Sequence, residues 1–173
     1  MSVNKPIELR PKRLTILLVL SLINTSSTII FGLITVVFFK PTEADLKKEK
    51  IEMAKSIIEL KEHGLDSIVE ILEKVQAMTE VLNNYFVSMN LVNIAIAIFG
   101  AASLFLMFKR NHLGFHGYII YNLLASVSIY FFVSPALVPS IILIINLVVS
   151  LIFILLYAKH LPWMKGDRFE EMH

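Results

Sequence analysis

The chain has 173 residues, 56% hydrophobic and only 17% charged, with a formal net charge of +2 and a mean hydropathy of +0.71. A soluble domain is closer to about 45–50% apolar and about 25% charged. Three runs, Leu14 to Phe39, Val81 to Phe108 and Asn111 to Ala158, carry no Asp, Glu, Lys or Arg. This is the pattern of a membrane protein, and it excludes a soluble enzyme or a nucleic-acid-binding domain. The absence of cysteine excludes disulfides, thiolate metal sites, iron–sulfur clusters and cysteine nucleophiles.

A hydrocarbon core about 30 Å thick takes about 20 apolar residues at about 1.5 Å per residue. The first two runs each suffice for one crossing. The third suffices for two, separated near Ser134, Pro135, Pro139 and Ser140, where proline removes an amide and disfavours helix at the residue before it. The expected fold is all-α: a four-transmembrane-helix bundle with an extracytoplasmic antiparallel helical hairpin between helices 1 and 2. In chain order this predicts a basic N-terminus over 1–13, a first span over 14–39, the hairpin over 40–85 with its turn at 63–66, and a second span over 86–108 continuous with the second arm. A loop over 109–114, a third span over 115–133, a turn over 134–138, a fourth span over 139–158 and a tail over 159–173 complete the chain. The first apolar run exceeds a signal-peptide core of about 7–15 residues and meets no small-x-small cleavage pattern before Lys40, so it is expected to be retained.

Lysine and arginine in short flanks mark the cytoplasmic side. Lys5, Arg10, Lys12 and Arg13, then Lys109 and Arg110, then Lys159, Lys165 and Arg168 all fall on one side, whereas residues 40–80 carry seven lysines against ten acids. Both termini are therefore expected in the cytoplasm. Interfacial aromatics are expected at Phe38, Phe39, Tyr85, Phe86, Tyr130 and Phe131 outside, and at Phe108, Phe115, Tyr118, Tyr157 and Trp163 inside. The basic flanks are first of all topology determinants, with contact to anionic head groups as the second reading.

Residues 41–85 are rich in lysine, glutamate, leucine and isoleucine and read as helix. Thr42 is the expected N-cap, with Glu43 and Asp45 in the first turn, and His63-Gly64 the expected stop. Ile51, Ala54, Ile58 and Leu65 form an apolar stripe on the first arm, and Leu65, Ile68, Leu72, Val75, Leu82 and Phe86 one on the second; these are the expected seam. Met53, Ile57, Val69, Ile71, Met78 and Val81 are left as the candidate interaction surface. Three readings stand for it: a wider intramolecular seam, a second copy of the chain, or a partner membrane protein.

Each span carries an asparagine: Asn24, Asn93, Asn122 and Asn146. A lipid-facing amide would be unsatisfied, so these are expected to face the bundle interior or another subunit. With Thr25, Ser27, Ser126 and Ser150 they form an interhelical polar belt, read first as structural glue and second as the lining of a polar path. Small residues at spacings of four, Asn93–Ala97–Ala101, Asn122–Ser126 and Asn146–Ser150, extend the same faces. Thr25 and its serine and threonine neighbours can return hydrogen bonds to the backbone one turn earlier.

Chemistry is otherwise sparse. No histidine is expected to be buried in a span, so no catalytic or metal residue is assigned there; His112, His116 and His160 read as interfacial, and Gly114 and Gly117 as a turn or frayed helix start. No metalloprotease, nucleophile-elbow, phosphate-loop or EF-hand pattern occurs, and no cofactor is implied. Arg10-Pro11-Lys12-Arg13-Leu14-Thr15-Ile16-Leu17 and Lys109-Arg110-Asn111-His112-Leu113-Gly114-Phe115-His116-Gly117-Tyr118 resemble a style found in small, uncharacterised bacterial four-helix integral membrane proteins. That resemblance covers about a tenth of the chain and implies a bacterial cytoplasmic membrane and no activity. The expected function is that of a non-enzymatic accessory, assembly or scaffolding subunit that makes protein contacts through its hairpin. The alternative is a small oligomeric transporter or channel lined by the asparagine and hydroxyl belt.

Overall fold

The structure, a computed structural model, describes residues 10–165. Lys5 and Arg168 therefore lie outside the described residues, as do the two ends of the chain. Among the described residues there are seven α-helices and two 3-10 turns, with no strand. The helices are α1 (Lys12–Phe38), α2 (Glu43–Glu62), α3 (Asp66–Asn84), α4 (Phe86–Phe108), α5 (Leu113–Val127), α6 (Ser140–Ala158) and α7 (Leu161–Lys165).

Three of these, α1, α4 and α6, are long and apolar enough to cross a membrane. α5 falls between them in character. Its 15 residues reach about 22 Å at helical rise, and the 3-10 turn Ser128–Phe131 prolongs it. The single run expected over 115–133 is thus an α-helix with a tighter last turn, and a second 3-10 turn, Pro135–Leu137, follows. Pro139 then occupies the N-cap of α6, where its missing amide costs nothing.

α1 packs chiefly on α4, α4 on α5, and α5 on α6. The tightest crossing is that of α4 with α5, and glycine explains it. A Cβ on Gly114 would lie 2.5 Å from both the Met107 amide nitrogen and the Ser103 carbonyl oxygen, which are backbone atoms of α4. A Cβ on Gly100 would fall 2.6 Å from the Tyr121 ring. The expectation of a turn or frayed start at Gly114 and Gly117 is therefore corrected: both lie within α5, pressed onto α4. Ala97 and Gly100 are buried on the same ridge of α4 as Asn93 and Leu104, the close-approach face expected from the sequence.

The main core sits where α1 begins and α4 and α6 end, with α7 beside it; Leu14, Leu104, Met107, Phe115, Tyr157 and Met164 are its centre. Of the aromatics expected at the inner interface, Tyr118, Tyr157, Phe115 and Trp163 are buried between helices, whereas Phe108 is exposed. Tyr118 and Tyr157 meet edge to face at 4.8 Å, a geometry favoured by the ring quadrupoles.

α2 starts at a capping box. The Thr42 hydroxyl accepts from the Asp45 amide, while the Asp45 carboxylate accepts from the Thr42 amide at 3.1 Å, satisfying two donors that a helix start leaves open. Gly64 at φ +69° reverses the chain after α2, a conformation that a side chain opposes. α2 then lies against α3, with Lys61 on Glu73 and Lys50 on Glu80, each at 2.9 Å. The expected run of α3 into α4 without a break is corrected at Tyr85. Its amide bonds to Leu82 in a 3-10 manner, and α4 starts one residue later.

The apolar stripes of α2 and α3 are covered only in part. Of the candidate interaction surface, for which a wider intramolecular seam was one reading, Ile57 and Val69 are buried and Met53 is half-buried, while Leu72, Val75 and Leu82 of the expected seam are half-buried. Met78 is buried and Val81 half-buried against Val133 and Val138 in the connection between α5 and α6. Ile51, Ile58, Leu65 and Ile68, assigned to the seam, are instead exposed, Ile58 by 58%; of the proposed surface only Ile71 is exposed. The connection over 128–138 is a further partner for α3, against which Met78, Val81 and Leu82 pack.

Candidate functional site

The polar belt divides into three parts. On α1, Ser21 and Thr25 are buried, one turn apart, and Thr25 donates to the Ser21 and Leu22 carbonyls at 3.0 and 3.1 Å. Its hydroxyl is thus satisfied within its own helix. Ser21 is the junction of three helices: the Tyr157 hydroxyl of α6 donates to it at 2.9 Å, and the Tyr118 hydroxyl of α5 lies 3.4 Å away.

Above this junction, Ser21, Asn24 and Thr25 of α1, Tyr118, Tyr121 and Asn122 of α5, and Val149 and Phe153 of α6 line a cleft of about 270 Å³. Asn122 spends one amide donor on the Tyr118 carbonyl at 2.8 Å. Asn24 faces the cleft exposed. The cleft is lined by apolar surface from Leu20, Val149 and Phe153 as well as by these polar groups, and its volume matches that of several water molecules, each about 30 Å³ in the liquid.

The second part is a pair of cross-helix contacts. Ser126 of α5 lies 3.4 Å from Ser150 of α6, and it donates to the Asn122 carbonyl at 2.8 Å. Ser128 donates to the Asn93 side-chain oxygen of α4 at 3.3 Å. The contacts of Ser126 with Ser150 and of Ser128 with Asn93 join α5 and its 3-10 extension to α6 and α4. The third part is Asn146, which the sequence places with the others. The structure leaves it exposed on α6, because α6 rests on α5 along one face and its remaining circumference is uncovered, with Ile144, Ile145, Val148 and Ile152 about half exposed. Ser27 is half-buried on α1 and lines nothing described above.

Sequence reasoning missed Ser21, Tyr118, Tyr121 and Tyr157 as members of this site. A signal was present: Ser21–Thr25, Tyr118–Asn122–Ser126 and Ser150–Tyr157 share helical faces at spacings of four or seven. Assigning the tyrosines to an interface concealed it.

A second cluster occupies the end of the bundle that carries the start of α1. The Arg10 guanidinium lies 3.6 Å from the centre of the Phe108 ring and donates to the Phe108 carbonyl at 2.8 Å. Arg110 lies 4.7 Å from the Trp163 ring centre and donates to the Trp163 carbonyl at 3.3 Å. Both are cation–π contacts backed by a hydrogen bond, and they tie the start of α1 and the helix α7 to the end of α4. Arg110 holds φ +59°, a backbone strained for a side-chain-bearing residue. The His116 Nδ1–H donates to the His112 carbonyl at 3.1 Å, with the two rings edge to face at 6.0 Å. Among the described residues, no group of three His, Cys, Asp or Glu side chains is placed to hold a metal ion.

Comparison with protein-family models, with curated protein sequences and with solved structures finds no match to this chain. The arrangement of its own residues is accordingly the ground for a functional reading.

Proposed function

We propose that the chain is a non-enzymatic integral membrane protein, an accessory, assembly or scaffolding subunit that docks on another membrane protein or on a second copy. In this reading α1, α4, α5 with its 3-10 extension, and α6 are four crossings of a bacterial cytoplasmic membrane. Both termini are cytoplasmic, and α2 and α3 form a hairpin on the opposite side. The orientation is supported by Arg10, Lys12, Arg13, Lys109, Arg110 and Lys159 at one end and by the acids of residues 43–80 at the other.

The observation that carries the docking role is apolar exposure on helices that no span contains. Ile51, Ala54 and Ile58 fall at spacings of three and four on α2 and are exposed, as are Ile68 and Ile71 on α3, among helices otherwise faced with charge. Burying such faces on a partner is worth roughly 25 cal/mol per Å². Asn146 agrees. An amide uncovered in mid-span has donors that lipid cannot satisfy, and a neighbouring helix would supply acceptors. Photoreactive residues at Ile51, Ile58 and Ile71, read by mass in the native membrane, are expected to yield protein adducts. Their complete absence at all three sites would overturn the docking role.

A second reading is favoured by the cleft: a small oligomeric transporter or channel in which Asn24, Thr25 and Asn122 line a solute path. The lack of native cysteine permits a clean test. Asn24→Cys and Asn122→Cys are expected to react with a membrane-impermeant thiol reagent if the cleft is water-filled, and an unreactive pair would remove this reading.

A further inference from the structure

At the basic end of the bundle, α1 and α6 part to leave a hollow of about 330 Å³ lined by Arg13, Ile16, Leu17, Leu156, Lys159 and His160. Along α6 it continues into a shallow groove of about 570 Å³ formed by Ile152, Leu155, Leu156, Ala158 and Lys159. Leu156 and Lys159 belong to both, so a cationic rim and an apolar floor form one surface. Among the described residues the rim charges have no ion partner. The ion pairs among the described residues lie in α2 and α3, and no Asp or Glu occurs between residues 9 and 42 or between 81 and 166. Arg10 and Arg110, by contrast, are engaged with Phe108 and Trp163.

We propose that this hollow seats an anionic phospholipid, with its phosphate between Arg13 and Lys159, a His160 ring nitrogen beside it, and one acyl chain along Ile16, Leu156 and Ile152. Charge complementarity selects the occupant. Two cations with no ion partner among the described residues, each one helical turn or less from an apolar floor, match a phosphate joined to a hydrocarbon chain, where a soluble phosphate would leave the floor unused. A zwitterionic lipid brings its own cation to the same rim and loses the advantage. The seat is separate from the exposed faces of α2 and α3 and from the Asn24 cleft, and its outcome is independent of both.

The test uses the full chain in phosphatidylcholine nanodiscs doped with phosphatidylglycerol carrying a photoreactive group in its acyl chain, or with phosphatidylcholine carrying the same group. Adducts are mapped by peptide mass spectrometry. Phosphatidylglycerol is expected to label residues 152–156 preferentially. The double variant Arg13→Gln/Lys159→Gln is expected to weaken that labelling by about 30-fold, at about fivefold for each charge removed near a membrane surface. Lys12→Gln, which removes an exposed charge at the same end but not from the hollow, is expected to leave most of the labelling in place, and Arg13→Lys/Lys159→Arg to restore it. Equal labelling of the wild-type chain by the two lipids would overturn the proposal without recourse to any variant. So would an equal loss in Lys12→Gln, which would assign the effect to diffuse charge.

Discussion

Replacing Gly114 by alanine tests the close approach of α4 and α5, the contact on which the rest of the bundle is assembled. The new methyl would sit 2.5 Å from the Met107 amide nitrogen and the Ser103 carbonyl oxygen. Both are backbone atoms of a helix, so neither can turn aside, and α5 would have to retreat by about 1 Å to reach ordinary contact near 3.5 Å. Overpacking of this kind costs about 1–3 kcal/mol. The gain in helix propensity from glycine to alanine returns less than about 1 kcal/mol, and less still in the first turn. The net expectation is a loss of about 1–2 kcal/mol. Gly117 is the matched control: its added methyl meets the Ser103 hydroxyl oxygen at 2.5 Å, which can rotate away, and the Ser103 Cβ at 3.2 Å, which asks only a small shift of the backbone. Gly117→Ala is therefore expected to stay within about 0.5 kcal/mol of the parent, the loosened Ser103 bond to Phe99 being offset by propensity. The assay is unfolding in mixed micelles with increasing sodium dodecyl sulfate, followed by fluorescence of Trp163, the single tryptophan. Its ring is buried beside the Arg110 guanidinium, so separation of α7 from α4 changes its surroundings. Equal stability of the Gly114→Ala and Gly117→Ala proteins would refute the backbone-to-backbone approach.

Three further outcomes are expected. Tyr157→Phe removes the hydroxyl that donates to Ser21 at 2.9 Å and is expected to cost about 0.6–1.7 kcal/mol, the range of interhelical hydrogen bonds in membranes; in a double-mutant cycle with Ser21→Ala, additivity of the two losses would show that the bond is absent. Arg10→Lys is expected to destabilise nearly as much as Arg10→Ala, by about 1–2 kcal/mol in the same micelle assay, because an ammonium cannot both stack on Phe108 and hold its carbonyl in the guanidinium geometry. The Asp45 carboxyl is held below its ordinary value of 3.8 chiefly by its hydrogen bonds from Thr42. A depressed carboxylate stabilises the fold above its unfolded pKa and loses that contribution as pH falls through the folded value. Amide hydrogen exchange at the start of α2 should therefore be flat from neutral pH to about 5, after correction for intrinsic rates, and lose protection below about 4; in Asp45→Asn, which cannot titrate, that acid-dependent loss should disappear, and its persistence would show that Asp45 is not the group responsible.

What was legible in the sequence was set by solvation and by local backbone chemistry. The uncharged runs determine which segments enter hydrocarbon, because an ionised side chain there is costly wherever its neighbours lie. The all-helical class, the starts at Thr42 and Ser140, and the reversal at Gly64 follow from caps, proline and glycine acting over a few residues. Register between helices was not legible in the same way. Ile57 and Ile58 are adjacent and equally apolar, yet one is buried at 7% and the other exposed at 58%. The difference is made by which face of α2 lies on α3, itself packed through Met78, Val81 and Leu82 on the distant 3-10 connection. The belt shows the same division. Periodicity placed an asparagine in each span, but the packing order of α1 on α4, α4 on α5 and α5 on α6 decided that Asn24 and Asn122 share a cleft, that Asn93 pairs with Ser128, and that Asn146 is left facing outward. A helix determines which residues share its face; only the neighbours it acquires determine which face is covered.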